Sequence, residues 1–236
     1  MSFYRDFAHY YDQIFPVSLE TIELFKQLFP KNGKILDLGC GSGGYAFALS
    51  QLNYQVHGID FDRGMIDIAL NKQVYHQGSV TFAQGNMLDL DVFDAYDGIF
   101  CIGNTLVHLH NKNEIFEALG RIYDALKPEA TFVLQIVNYD RILNQGITSL
   151  PTLKGKDAEF IRNYRNDGIK IHFMTELKTK EGNFNNSVEL YPIRQNDLFK
   201  MMTQIGFYEV RSYGSFDLSP YDFNNSFMLV MKGSKK

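Results

Sequence analysis

The chain has 236 residues, of which 45% are hydrophobic and 21% are charged, and its 23 basic and 27 acidic residues give a formal net charge of −4. That length suits one large α/β domain, or a domain with a modest insertion. A protein that binds nucleic acid through the phosphates is normally basic, so this charge argues against a nucleic-acid partner.

The start of the chain lacks the basic-then-apolar order of a secretory signal, and no apolar run approaches the roughly 20 residues that span a bilayer. We therefore expect no membrane partner. The two cysteines, Cys40 and Cys101, are too few for a disulfide framework or a cysteine-only metal site. They favour a reduced, cytoplasmic chain.

Residues 1–30 are rich in aromatic side chains and are expected to form a helical segment. Tyr4, Tyr10 and Tyr11 have two interpretations. They either fold over a bound ligand as a lid, or they pack the first helix against the rest of the domain.

Between residues 34 and 138, short apolar runs alternate with helical patterns at about 44–52, 62–71 and 111–126. Each run has the length and the β-branched content of a buried strand. Strand–helix alternation of this kind predicts a doubly wound, mostly parallel sheet. The five predicted strands are 34–39, 55–60, 80–84, 96–103 and 131–138.

The first predicted strand runs into a glycine-rich turn, residues 39–44. Gly39, Gly41 and Gly44 satisfy the GxGxxG pattern of dinucleotide enzymes, which alone is weak evidence for a ligand. Asp37, two residues before Gly39, separates the alternatives: a pyrophosphate has little use for a nearby carboxylate, whereas a ligand with an ammonium or sulfonium group attracts one. Asp37 has a second interpretation as a cap of the turn.

The second predicted strand ends at Asp60, about 20 residues beyond the glycines, where a carboxylate accepts the hydroxyls of a ribose. Both nicotinamide and adenosyl ligands carry that ribose, so Asp60 predicts a nucleoside without choosing between them. Asp62 is the better N-cap for the next helix, and Met65 in its first turn is placed to pack against a purine.

Two polar segments follow the third and fourth strands. Asn86 and the Met87 backbone are expected to contact an adenine edge, with Asp89 either bonding its amino group or capping a turn. Asn104 and His108 lie after the fourth strand, at the carboxyl edge where open α/β sheets bind ligands. A packed or capping histidine remains an equal alternative for His108.

After residue 138 the alternation stops. Residues 139–157 contain Gly146, Pro151 and Gly155 and are predicted to be a loop. Three alternating stretches joined by turns at 166–168 and 181–183 then predict a small antiparallel sheet. A helix at about 194–205 and two final strands complete the chain, and the last four residues are expected to fray.

These motifs, in this order and spacing, resemble the class I S-adenosylmethionine-dependent methyltransferases. The resemblance covers residues 34–138, and the final strand pair matches the family's antiparallel seventh strand. It implies a Rossmann-like, seven-stranded sheet in a single domain over 1–236, with a lid at 1–30 and a substrate-covering β insertion at 139–191. It also implies S-adenosyl-L-methionine as the cofactor, S-adenosyl-L-homocysteine as the product and no metal.

A narrower resemblance is to the glycine/sarcosine N-methyltransferase branch, through residues 101–109 and 137–143. It implies Tyr11, Asn104 and His108 as catalytic residues, and Asn104, Asn138, Tyr191 and Tyr221 as substrate residues. The cofactor residues that we expect from the motifs and the resemblance together are Asp37, Gly39, Cys40, Gly41, Gly43, Asp60, Phe61, Met65, Asn86, Met87, Ile102 and His108.

The chain departs from that branch at the arginine that binds the substrate carboxylate, because the corresponding neighbourhood is Asn185-Asn186-Ser187. Arg162, Arg165 and Arg194 are the candidate replacements, and the departure argues against glycine as the acceptor.

The resulting prediction is an enzyme that moves a methyl group to a nitrogen or oxygen of a small molecule by in-line displacement. The alternatives are a nicotinamide-dependent oxidoreductase and a non-catalytic S-adenosylmethionine-binding module. A nucleic-acid methyltransferase is disfavoured, since GNTLVH stands where an aromatic residue beside a proline is typical. The histidines show no metal-ligand spacing, and no feature of the sequence predicts an oligomeric state.

Overall fold

A computed structural model describes residues 10–236 of the chain. Its strands are β1 (Lys34–Leu38), β2 (Gln55–Asp60), β3 (Val80–Gln84), β4 (Tyr96–Cys101), β5 (Leu126–Val137), β6 (Ser149–Lys154), β7 (Ala158–Asn166), β8 (Ile171–Thr179), β9 (Gly182–Leu190), β10 (Tyr208–Tyr213) and β11 (Met228–Ser234). Its helices are α1 (Leu19–Leu28), α2 (Gly44–Ser50), α3 (Arg63–Gln73), α4 (Lys112–Ala125), α5 (Tyr139–Gln145) and α6 (Gln195–Ile205).

The main sheet has seven strands in the order β10-β11-β5-β4-β1-β2-β3. The strands from β5 to β3 in that order pair in parallel, and β11 pairs antiparallel with both β5 and β10. The chain reverses direction in the sheet order at β1, so the carboxyl ends of β1 and β4 flank the point where open α/β sheets form their ligand crevice. The predicted fold class is confirmed.

Alternating residues of the central strands bury apolar side chains on both faces of this sheet. Leu36 and Phe132 pack in a cluster with α4 and α6, whereas Ile35, Phe100 and Val133 pack with α1 and α2. All five side chains have no more than 1% of their surface exposed. Burial on both faces explains why these strands are nearly continuous apolar runs.

The smaller sheet contains β6, β7, β8 and β9 in sequence order, all antiparallel. The predicted turns at 166–168 and 181–183 join β7 to β8 and β8 to β9. Every second residue of β7 faces the body of the protein, including Phe160 and Tyr164, which are 3% and 4% exposed. The small sheet therefore covers part of the domain with one face and presents the other to solvent.

Three predictions about this half of the chain are wrong. Residues 139–157 are not a loop, since they contain α5 and β6, and the small sheet has four strands rather than three. The end of the chain is not frayed, because β11 continues to Ser234 and the N–H of Lys235 donates to the carbonyl of Ala130 at 3.0 Å. Leu126–Ala130 also belong to β5, which begins before the predicted strand.

The N-terminal helical segment, residues 10–14, packs against α3 and the small sheet. Tyr10 and Ile14 share a buried cluster with Met65 of α3 and with Phe160 and Leu177 of the small sheet. Among residues 10–236, no helix has both the length and the apolar character needed to cross a membrane.

Candidate active site

The glycine-rich turn is a tight loop between β1 and α2 that glycine makes possible. Gly39 and Gly43 both have a φ of 84°, in the left-handed region that side chains rarely adopt. A Cβ on Gly39 would lie 2.3 Å from the side chain of Thr105, and one on Gly43 would lie 2.6 Å from the ring of Phe82. A side chain at either position would therefore clash with its neighbours, so the loop requires glycine at both.

Asp60, at the end of β2, fastens the glycine loop from the neighbouring strand. One oxygen of its carboxylate accepts the N–H of Gly41 at 2.8 Å, and the other accepts the N–H of Asp62 at 2.9 Å. Burial raises the pKa of Asp60, and its hydrogen bonds with backbone N–H groups oppose that shift. A carboxylate has about four acceptor positions, so Asp60 has room for a further donor such as a ribose hydroxyl.

Asp37, on β1, lies one strand away from Asp60 and is 3% exposed. Its carboxylate accepts no hydrogen bond from any residue of the described range 10–236. Burial, together with repulsion from Asp60, raises the pKa of Asp37 well above its usual value. A buried carboxylate without a donor is costly, which favours a cationic ligand over the turn-capping alternative.

The N-terminal segment lies directly on the glycine loop. The hydroxyl of Tyr11 is 3.3 Å from the position that a Cβ on Gly41 would occupy. The Asp12 carboxylate accepts the hydroxyl of Ser42 at 2.6 Å and pairs with the Lys72 ammonium of α3. Lys72 also donates to the carbonyl of Ser42 at 3.3 Å. Tyr11 is therefore at the predicted site, whereas Tyr4 lies outside the described residues.

Four further predicted cofactor residues surround this loop with different exposures. Phe61, next to Asp60, is 74% exposed, and its carbonyl accepts the side-chain amide of Gln84 at 3.1 Å. Met65 is 2% exposed beneath the N-terminal segment, so a purine reaches it only if that segment moves. Cys40, within the loop, and Ile102, just after β4, are both buried.

Asn86 and Met87 lie in the loop after β3, where a short 3₁₀ turn spans Met87–Asp89. The side-chain oxygen of Asn86 caps this turn by accepting the N–H of Leu88 at 3.0 Å. Met87 is half-buried against the core. The capping role given to Asp89 as one alternative thus belongs to Asn86.

Asn104, after β4, is bonded to the end of β5 and to the first residue of α5. Its side-chain oxygen accepts the N–H of Val137 at 3.0 Å, and its amide donates to the hydroxyl of Tyr139 at 3.1 Å. The backbone of Asn104 has a φ of 70°, an uncommon conformation for any residue except glycine. The Tyr164 side chain on β7 is close enough to raise the pKa of Tyr139 further, beyond the effect of its burial.

His108 ends a short 3₁₀ turn, Leu106–His108, and lies at the exposed rim of the site. The surrounding protein atoms desolvate its imidazole and lower its pKa below the usual value. Tyr191 is near this turn, because its N–H donates to the carbonyl of Val107 at 2.8 Å. The structure therefore brings Tyr191 and His108 to the same edge of the sheet.

Asn138 and Tyr221, two predicted substrate residues, are bonded to each other: the hydroxyl of Tyr221 donates to the side-chain oxygen of Asn138 at 2.6 Å. Asn138 is 1% exposed; its amide donates to carbonyls of the 222–226 loop, including that of Ser226 at 2.9 Å, and its oxygen accepts from Arg141 and Tyr221. The Tyr221 hydroxyl also lies 3.0 Å from the carboxylate of Asp140. These bonds give both residues a structural role, and their contact with substrate stays a prediction.

The three candidate arginines have different environments. Arg194 pairs with Asp140 at 3.0 Å, and Arg165 is exposed on the outer face of the small sheet. Arg162 is buried, with 8% of its surface exposed, on the inner face. Sequence patterns did not single out Asp12, Ser42, Lys72 or Tyr139, because their partners are far away in the chain.

The residues present suit S-adenosylmethionine. The glycine loop and the carboxylate of Asp60 at the end of the next strand suit its nucleoside. The carboxylate of Asp37, which receives no hydrogen bond from residues 10–236, suits its sulfonium charge. Across residues 10–236, no group of three or more histidine, cysteine and acidic side chains is arranged to hold a metal ion.

Comparison with known proteins gives consistent results. Residues 35–129 match the family model described as a methyltransferase domain. The glycine/sarcosine N-methyltransferase of Halorhodospira halochloris is 27% identical over 213 residues, which cover 88% of this chain and 78% of that protein. The glycine/sarcosine/dimethylglycine N-methyltransferase of Actinopolyspora halophila is also 27% identical, over 77% of this chain but 32% of that longer protein.

Among solved structures, the CcbJ methyltransferase from Streptomyces caelestis has the same fold, with a TM-score of 0.79 and 22% identity over 95% of this chain and 90% of that one. These findings, together with the sheet order, confirm the resemblance that the motifs indicate.

Proposed function

We propose that this class I S-adenosylmethionine-dependent methyltransferase moves a methyl group to a nitrogen, or less favourably an oxygen, of a small molecule by in-line displacement. The observation that carries the proposal is the pair of acids on neighbouring strands. Asp60 holds the glycine loop with lone pairs to spare, and the buried carboxylate of Asp37 has no donor within the described residues.

The cofactor residues of the proposal are those predicted from the sequence. Asp60 would accept hydrogen bonds from the ribose hydroxyls. The backbone from Gly39 to Gly43 would lie against the ligand, and Asp37 would face its positively charged sulfonium. Phe61, Met65, Asn86 and Met87 would border the adenine, with Cys40, Ile102 and His108 completing the wall. No metal is part of the proposal.

Bound S-adenosylmethionine supplies a methyl group on a sulfonium, which is an excellent leaving group. The task of the chain is then to align the acceptor with that methyl and to exclude water. The packing of the N-terminal segment holds Tyr11 over Gly41, which supports the proposal that residues 1–30 form a lid. The small sheet lies within residues 139–191 and supports the proposal that these residues cover the acceptor.

His108 and Asn104 would orient the acceptor. Because the pKa of His108 is lowered, its imidazole is neutral at pH 7 and can accept a hydrogen bond from an amine. Asn104 acts with Tyr139, whose hydroxyl it holds at the edge of the site. Tyr191 borders the same edge, and Asn138 and Tyr221, bonded near the start of α5, remain predicted acceptor contacts.

Nitrogen is placed ahead of oxygen because the relatives from Halorhodospira and Actinopolyspora are named as N-methyltransferases of glycine and sarcosine. A nicotinamide-dependent oxidoreductase is not favoured, since Asp37 would oppose a pyrophosphate at the same loop. Both cysteines are buried free thiols, which supports the expected reducing, cytoplasmic location.

The test is binding of S-adenosylmethionine, S-adenosylhomocysteine, NAD and NADP to the purified protein by calorimetry. The two adenosyl ligands are expected to bind, and Asp60→Ala is expected to weaken both about 100-fold. Asp67→Ala, an exposed acid on α3 that pairs with Arg63, is the control and should bind like the wild type. Binding of the nicotinamide nucleotides alone would refute the proposal.

A further inference from the structure

The two sheets end in four edge strands, β10 and β3 in the main sheet and β6 and β9 in the small one. Exposed edges pair readily with other chains, so proteins shorten them, bend them or place proline and lysine there. β3 has only five residues. β10 is irregular between Tyr208 and Arg211, where Glu209 has a φ of 50°, and β6 contains Pro151 and a shift in its register. Each of these three edges therefore has a feature that opposes pairing.

β9 is the edge that lacks such a feature. All nine of its residues pair with β8 in one unbroken register, and the strand contains neither proline nor lysine. Residues 183–188 carry no charge, and the side chains of Asn183, Asn185 and Ser187 are exposed. β9 thus presents a long, regular and nearly uncharged edge.

The turn before β9 shows which of its backbone groups are free. The two-residue turn 180–181 joins Thr179 to Gly182, so these two flanking residues form a hydrogen-bonded pair. Such pairs alternate with non-hydrogen-bonded pairs along an antiparallel ladder. The residues whose N–H and C=O groups point away from β8 are therefore Asn183, Asn185, Ser187 and Glu189. Across the part of the chain that the structure describes, no segment forms a hydrogen bond with these groups.

The free part of the edge has a defined end. Tyr191 is the next residue whose N–H points away from β8, and this N–H donates to the carbonyl of Val107 at 2.8 Å. The available edge is therefore the segment from Asn183 to Glu189.

This segment is complementary to itself. Two copies of β9 that meet antiparallel, with a two-fold axis at Asn186, place Asn183 opposite Glu189 of the other copy and Asn185 opposite Ser187. Every free N–H and C=O of the segment is then paired. Phe184 lies opposite Val188, and a pair of an aromatic and a β-branched side chain stabilises neighbouring strands. Glu189, the one charged residue of β9, faces a neutral side chain, so no like charges meet.

We infer that β9 binds β9 of a second copy of this chain in this register, which joins the two small sheets into one continuous antiparallel sheet. A second copy suits the edge better than an unrelated strand, because a two-fold axis pairs all its free groups without opposing like charges. Backbone hydrogen bonds give affinity to this kind of contact, so it needs no large apolar face. The pairing involves no methyl transfer, and its test is independent of the proposed function.

Sedimentation equilibrium of the full chain measures the association. Two paired strands form a small interface, so we expect a dimer that dissociates on dilution. Between about 1 and 100 μM, the average mass should rise from the 27.2 kDa of the chain towards twice that value.

Ser187→Pro removes an N–H that points away from β8, so the ladder within the chain keeps its bonds. It should raise the dissociation constant about 100-fold. Ser187→Lys places a charge on the edge and should raise it about tenfold. Asn163→Lys is the matched control, since Asn163 lies in the same cross-strand row as Ser187 but on the inner strand β7. This control should associate like the wild type.

A cysteine at the axis tests the register. Residue 186 of one copy would lie opposite residue 186 of the other in a non-hydrogen-bonded pair, with Cα atoms about 4.5 Å apart, which a disulfide can span. Asn186→Cys should therefore form a disulfide-linked dimer on mild oxidation. Asn183→Cys is the control and should remain unlinked, because the two copies of residue 183 would lie roughly 20 Å apart. The natural cysteines, Cys40 and Cys101, are buried.

Four results would overturn the inference. These are a monomer at every concentration, a dimer that Ser187→Pro leaves intact, a failure of Asn186→Cys to cross-link, and a dimer that Asn163→Lys dissociates but Ser187→Lys does not. The last result would assign the contact to the outer face of the small sheet. Circular dichroism shows whether each variant folds, and the lysine and cysteine pairs decide the matter if Ser187→Pro does not.

Discussion

The side-chain amide of Asn104 lies 3.1 Å from the hydroxyl of Tyr139, across 35 residues of sequence. The oxygen of the same side chain accepts the N–H of Val137, so one residue joins the loop after β4 to the end of β5 and the start of α5. Asn104 can do this because its φ of 70° turns the side chain away from the path that a helical or extended residue would give it. A strained backbone and a fixed tyrosine hydroxyl thus occur together at the edge of the site.

We expect Asn104→Ala to lower the free energy of unfolding by about 2–3 kcal/mol, because it leaves the N–H of Val137 unpaired and keeps the strained φ. Asn104→Gly loses the same bonds without the strain, so its loss should be about 1 kcal/mol smaller. Urea denaturation measures both. Equal losses would show that the backbone at residue 104 is not strained.

The raised pKa of Asp37 predicts a pH effect on cofactor binding. A ligand with a sulfonium charge favours the ionised form of Asp37, whose pKa is raised in the free protein. Affinity for S-adenosylmethionine should therefore increase as pH rises through that pKa, whereas S-adenosylhomocysteine, which lacks the charge, should respond less. Calorimetry from pH 5 to 8 compares the two ligands. Parallel pH profiles would argue against a contact between Asp37 and the charge.

Asp37 should also make the free protein less stable at neutral pH. Its raised pKa means that the unfolded chain loses this proton more readily, so the stability cost is present above the folded pKa and disappears below the usual value near 3.9. Asp37→Asn should therefore raise the free energy of unfolding by about 1–2 kcal/mol at pH 7. The gain should shrink as the acid protonates. A destabilised Asn variant at pH 7 would contradict this account.

The pKa of His108, lowered by desolvation, predicts the acid limb of the activity profile. The imidazole stays neutral down to a pH below the usual 6.5, so the contribution of His108 to methyl transfer should be level from pH 8 to about 6.5 and fall at lower pH. His108→Gln, which keeps a hydrogen-bonding side chain but cannot titrate, should be slower and should lack the His108 part of that fall. An unchanged acid limb would exclude His108 as the group responsible.

We expect the contacts of Asp12 with Ser42 and Lys72 to slow the release of bound cofactor, and their loss to speed it. Asp12→Asn and Lys72→Met should each speed dissociation of S-adenosylhomocysteine about tenfold, since both weaken the contact between the N-terminal segment and the glycine loop. Arg63→Met removes an exposed ion pair on the same helix, α3, and is the control. Stopped-flow dissociation rates decide the matter. Rates equal to the control would mean that the segment does not cover the ligand.

The main sheet was predictable because each strand is a short apolar run bounded by turn residues, and burial on both faces produces that signal directly. The same local logic located Asp60, Asp62 and the glycine loop, since their positions depend on strand ends. Asp62 caps α3 as predicted, accepting the N–H of Met65 at 3.0 Å.

The loop prediction for residues 139–157 was wrong because glycine and proline also occur at helix ends and in edge strands. Gly146, with a φ of 60°, ends α5, which Asn138 caps at its start. Pro151 lies in β6, an edge strand whose pairing with β7 shifts between Leu150 and Leu153. An edge strand tolerates proline because one side of its backbone forms no ladder.

The burial of Arg162 and the bonds of Asp12 were beyond sequence patterns, because they depend on contacts between distant segments. Alternation along β7 assigns Arg162 to the face shared by Phe160 and Tyr164. It does not show that no acid accompanies the guanidinium. Only the packed structure shows a buried arginine with no acid beside it among residues 10–236, and this distinguishes Arg162 from Arg165 and Arg194.

The N-terminal segment touches both halves of the protein at once. Asp12 binds the glycine loop and α3, while Tyr10 and Ile14, on either side of it, pack against strands of the small sheet. Any displacement that frees the loop must therefore also disturb the small sheet, and a ligand that secures one contact favours the other by the same free energy. We therefore expect cofactor and acceptor to bind cooperatively through this shared segment.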